Sequence, residues 1–132
     1  MSGDGQWQLQ KAVYTALVTA HGATKVFDHV PQNTPGDYVA LGDAEASEFD
    51  TDTEIGQEHV VTVHHYARSG EGKRATLAMQ KRTYDALHDQ SLTLDTGAAL
   101  VLLFYTFSTV VLDPDGKTYH GVSQFRAITT ES

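Results

Sequence analysis

The sequence predicts an α+β fold in which an antiparallel β-sheet carries two α-helices packed on one face. Three observations predict it. Apolar residues recur at helical spacing in two separate stretches, two-residue alternation marks the segments between and after them, and an Asp-Pro-Asp-Gly turn joins the last two extended runs. A single domain spanning residues 1–132 is expected, because a chain of this length buries about two thirds of its unfolded surface around one core.

In chain order, Asp4 is placed to cap a helix from Gln6 to Ala20, with Leu9, Val13, Leu17 and Ala20 on one stripe and Gly22 at its end. Trp7 and Tyr14 fall on a flank of that stripe, where they either extend the packing or meet a neighbour. Lys25 to Val30 reads as a short extended piece. Pro31, Pro35 and Gly36 then make a surface loop, since each proline drives the residue before it out of the α region. Asp37 to Phe49 alternates like a strand and runs into an acidic loop through Glu45, Glu48, Asp50, Asp52 and Glu54.

Gln57 to Arg68 alternates more clearly, sending Val61, Val63, His65 and Ala67 to one face and Val60, Thr62, His64 and Tyr66 to the other. Ser69-Gly70-Glu71-Gly72 is a connector, and Leu77, Met79, Tyr84 and Leu87 give helical spacing from Lys73 to His88. Leu92 and Leu94 predict a short strand. The β-branched and aromatic content of Ala98 to Leu112 predicts a long one. Asp113-Pro114-Asp115-Gly116 turns the chain tightly, and Lys117 to Thr130 alternates again, so these last segments form a hairpin.

Composition removes several function classes. Seventeen acidic against nine basic residues give a net charge of −8, which repels a phosphate backbone and supplies none of the counterion release behind tight nucleic-acid binding. The same charge suits the wall of a passage through which DNA slides without sticking. There is no cysteine, so disulfides and thiolate chemistry are excluded. The longest apolar stretch, Ala98 to Tyr105, is far shorter than the roughly 20 residues that cross a bilayer, and MSGDGQWQ has no signal-peptide pattern. No membrane partner and synthesis in the bacterial cytoplasm are expected.

Seven histidines invite a metal reading, with His59, His64 and His65 the densest group. Adjacent strand residues point to opposite faces, so His64 and His65 cannot share an ion, and His59 and His65 share a face but lie about 20 Å apart at strand rise. Partly exposed strand histidines are the expectation. The HExxH, GxSxG, GxxxxGK[ST] and GxGxxG patterns are absent, and the acidic stretch from Glu45 to Glu54 lacks the central glycine of a calcium loop. No catalytic residue, cofactor or metal ligand is assigned.

Four pieces carry a resemblance: LQKAVYTALV at 9–18, VFDHVPQNTPGDYVALGD at 26–43, GQEHVVTVHHYARSGEGKRATLAMQKRTYDALHD at 56–89, and VVLDPDGKTYHGVSQFRAIT at 110–129. In order and spacing they resemble the tail-completion or tail-terminator proteins of long-tailed phages and of phage-derived gene transfer agents. Tyr66 stands where such proteins usually carry Trp, a change that conserves packing. The resemblance implies a structural subunit, six copies to a ring, that ends tail-tube polymerisation and forms the surface joining tail to head. Its implied partners are further copies of itself, the tail tube protein and a head-neck connector or stopper, with DNA only in transit, at the head-tail junction of the particle.

A head-to-tail ring uses two different patches per subunit, and strand addition between neighbours is one way to close it. The acidic residues Glu48, Asp50, Asp52 and Glu54 are the candidate interface or channel-facing set. Two other readings fit the same sequence: a head-completion (stopper) neck protein, and a small ligand-binding or hydrolytic α+β domain with His65 or His120 as its base.

Overall fold

A computed structural model describes residues 4–31, 34–48, 56–68, 70, 72–94 and 97–131. Among these residues seven elements follow in the order α1 (Asp4–His21), β1 (Lys25–Phe27), β2 (Tyr38–Glu48), β3 (Gly56–Ala67), α2 (Lys73–Leu87), β4 (Ala98–Leu112) and β5 (Tyr119–Glu131). The strands make one five-stranded sheet in the order β1-β2-β3-β5-β4.

α1 starts at Asp4 itself, so Asp4 is a helical residue and not the cap expected of it. The far end is as expected. Gly22 adopts φ 57° and its N–H reaches the Val18 carbonyl, the left-handed stop that only glycine takes without steric cost. Leu9, Val13 and Leu17 are buried against the sheet, each contributing about 2 kcal/mol of transfer free energy. α2 lies beside α1 on the same face, and one core cluster joins Leu9, Val13 and Leu17 to Val39, Val63, Met79, Leu87, Leu103 and Phe125.

Three of the four strand pairings are antiparallel, and β1 against β2 is parallel, with Lys25 opposite Tyr38 and Phe27 opposite Ala40. The sheet is therefore mixed at one edge. The connection from Phe27 to Tyr38 is too long and too proline-rich for a tight hairpin, so it returns the chain to the start of β1 before β2 begins. Arg68 holds that return in place: its backbone N–H donates to Asp37 Oδ1 (2.7 Å), Nη1 to the Thr34 carbonyl (2.7 Å) and Nε to Thr118 Oγ1 (3.0 Å).

Leu92 and Leu94 form no strand. Leu92 is instead half-buried against the margin of the core. The β4–β5 hairpin is as expected: Gly116 N–H bonds the Asp113 carbonyl (2.9 Å), and Asp115 Oδ1 accepts from the N–H groups of Lys117 and Thr118 (2.8 Å each). These bonds and the Thr118 hydroxyl hold the Asp115 carboxyl down at about 2, the hydroxyl contributing most.

Candidate functional site

The helices cover one sheet face and leave the other open, so residues on that open face and at the sheet edges are where another molecule can be met. Three zones divide the open face. At one end Tyr38 stacks on Tyr66 (4.7 Å between centroids) and Tyr66 on His120 (4.3 Å), a row set by the register Tyr38↔Tyr66↔His120. His64 Nδ1 lies 2.8 Å from His120 Nε2, so one proton is shared along that line. Burial, then the His120 charge, lowers the pKa of His64, while Asp43 works in the opposite direction.

The middle of the face is polar, with Gln124 beside Thr62 and Arg126 paired to Glu58. The third zone runs along β4, where Phe104, Phe107 and Val111 are exposed and no residue of the strand carries charge. At the centre of that strand's outer edge, the Asp89 N–H donates to the Leu103 carbonyl (2.7 Å) and the Tyr105 N–H to His88 Nδ1 (3.1 Å).

Two of the three clustered histidines are not the partly exposed residues expected. His59 and His65 face the helices and are buried, His65 with no exposure at all. His65 Nδ1 meets the Gly121 carbonyl (3.3 Å), which makes it the donor, so Nε2 accepts the Thr83 hydroxyl (2.7 Å). Thr83 Oγ1 in turn accepts from His21 Nε2 (2.9 Å), leaving His21 Nδ1 unprotonated and unpartnered. The chain of donors is thus fixed with both rings neutral. His65 has no route to a substrate, so of the two bases that a hydrolytic reading offers, His65 and His120, it is not available.

Among the described residues no three His, Cys, Asp or Glu side chains converge on a point where an ion could sit. Among the described residues a groove of about 690 Å³ runs beside α1, lined by Ala12, Thr15, Ala16, Thr19 and Thr93 with Lys11. That lining offers a substrate no acid–base pair. Of the acidic set, Glu48 is the last residue of β2, exposed and opposite Gln57; Asp50, Asp52 and Glu54 lie outside the described residues.

A family described as "tail completion protein gp17" matches residues 7–130. The chain belongs to that family. Among solved structures similar to this member, one chain of "Virion of native gene transfer agent (GTA) particle" superposes with a TM-score of 0.81 at 25% identity, covering 99% of this chain and 100% of that one. "Structure of bacteriophage SPP1 gp17 protein" shares the fold, with a TM-score of 0.53 at 22% identity over 96% of this chain and 95% of that one. No curated protein matches this chain in sequence. The mixed five-stranded sheet with two helices is therefore a tail-completion fold.

Proposed function

We propose that the chain caps the tail tube of a phage-type particle as a hexameric ring, ends the tube's polymerisation and provides the surface that the head-neck connector joins. The observation that carries this is the end-to-end match, at 99% and 100% coverage, to a chain of a gene transfer agent virion. Termination of this kind is binding and geometry without catalysis: the ring hides the surface on which the next tube ring would add, and the tube end offers its sites at high effective concentration. The protein is made in the bacterial cytoplasm, is no enzyme, and enters the particle at the head-tail junction. Electron microscopy of particles from cells lacking it tests this. Tails that are overlong, or that fail to join otherwise normal heads, are expected; normal, joined tails would retire the reading.

The acidic segment between β2 and β3 is assigned to the channel, where like charge keeps passing DNA from lingering. Glu48 supports this as an exposed residue at the end of a strand whose last six positions are all exposed. Replacing Glu48, Asp50, Asp52 and Glu54 with lysine should slow genome passage roughly tenfold or more while leaving the number of joined particles intact. Delivery unchanged in a timed transfer assay would refute the channel assignment.

A further inference from the structure

The proposed ring needs two different patches per copy, and the molecule carries two apolar surfaces that its own fold leaves unused. The first is β4. Fifteen residues long, at the sheet edge, it contains no charge and no proline, although a fifth of the chain is charged. Edge strands are ordinarily guarded by those residues, so one that lacks them and leaves Phe104, Phe107 and Val111 exposed (41%, 46% and 49%) marks a surface that is covered in use.

The second is a stripe on α1. Trp7, Tyr14 and Val18 recur at seven- and four-residue steps on the flank away from the core, exposed at 56%, 37% and 43%. Lys11 lies between them with its ammonium over the Trp7 ring (5.8 Å), and it is the one charged residue from Gly5 to Ala20. Gln10 on this flank donates to Asp28, just past β1, so the stripe is on the β1 side of the molecule while β4 forms the opposite edge of the sheet.

We infer that copies of this chain associate head to tail, the α1 stripe of one seating on the open-face margin of β4 of the next. A second copy is the partner these surfaces favour because a chain of net charge −8 repels its own kind wherever charge is displayed, and neither the segment from Gly5 to Ala20 nor β4 carries an acidic residue, Asp28 lying at the border of the first. Pairing unlike patches buries both and repeats with one rotation, which is the contact a ring requires; pairing like patches stops at a dimer. Trp7 and Tyr14 are the anchor types such interfaces use. Strand addition does not make the joint: β1 offers three residues, and the β4 edge is occupied at its centre by His88 and Asp89.

The inference rests on the proposed assembly role, and the test separates the two. The chain has no cysteine, so engineered pairs report without background. In purified particles treated with a short bismaleimide, a Tyr14→Cys/Phe107→Cys double variant should give a ladder of cross-linked species up to six copies. Each single variant should stay monomeric, and the two singles mixed in one particle should stop at dimers. Trp7→Cys and Val18→Cys combined with Phe104→Cys or Val111→Cys cover the register. The chain present in particles with no ladder from any pair, or dimers from Phe107→Cys alone, would overturn the inference. The chain missing from particles altogether would overturn the assembly role first, and this contact with it.

Discussion

Lowering the pH from 7.5 to 5 is expected to cost the fold about 4 kcal/mol through His21 and His65, with His59 and His64, also lowered by burial, acting in the same direction. Burial, with a smaller contribution from Arg82, lowers His21 to about 4. Burial lowers His65 to about 3 against the raising effect of its bond to the Gly121 carbonyl, with the nearby charges of His21, His64 and His120 adding to the fall. Both titrate near 6.5 once unfolded. Because the folded values lie below the unfolded one, the unfolded chain takes up protons first as pH falls. Stability is fully present above about pH 6.5 and drains away below it, by about 2 kcal/mol per ring at pH 5. Urea unfolding at the two pH values measures this directly. A His21→Leu variant should lose about 2 kcal/mol of that pH dependence, and a wild-type midpoint unchanged at pH 5 would mean that the rings accept protons in place.

The second large effect is expected at Gly121. A Cβ built there would lie 2.5 Å from Thr76 Cγ2 and 2.7 Å from Gln80 Nε2, closer than atoms in a packed core approach. α2 can sit this low on β5 only because position 121 has no side chain. Nor can Gln80 easily withdraw, since its amide donates to the Thr109 carbonyl (3.0 Å) and tethers the helix to the sheet. Gly121→Ala should therefore destabilise the protein by about 2–3 kcal/mol, lowering the thermal midpoint by roughly 10 °C. Adding Thr76→Ser, which deletes the colliding methyl and retains the hydroxyl that reaches the Tyr119 carbonyl, should recover a substantial part of the loss. A double variant no better than the single would place the damage in the strand itself.

Legibility in the sequence followed how local the determining physics is. The β4–β5 hairpin was readable because its turn chemistry, Pro114 and Gly116, lies between its two strands. α1 and α2 were readable from their apolar spacing. The parallel direction of β1 was not, because three residues carry no periodicity and orientation depends on where the ten-residue loop after Phe27 returns the chain. Leu92 and Leu94 are apolar enough for a strand, but Leu92 finds its burial against the helices without pairing. His65 was misjudged for a different reason. Alternation put it on the correct face, yet whether a histidine there is wet or dry depends on Thr83, an unremarkable residue in the middle of α2. The outer stripe of α1 was visible as Trp7 and Tyr14 on a flank; that it is solvent-exposed and faces away from β4 required the fold.

Asp89 adopts a left-handed conformation, φ 55°, which a non-glycine residue tolerates at a cost of about 1 kcal/mol and which aims its N–H at the Leu103 carbonyl. The gain is one of timing. A subunit that has yet to meet its neighbours would, with a long uncharged strand left bare at a sheet edge, be prone to nucleate fibrils. With the middle of the ladder already taken, no incoming backbone can zip along the whole strand. What remains adhesive is side-chain shape, which demands a correctly posed neighbour and, in the proposed ring, stops when the circle is complete.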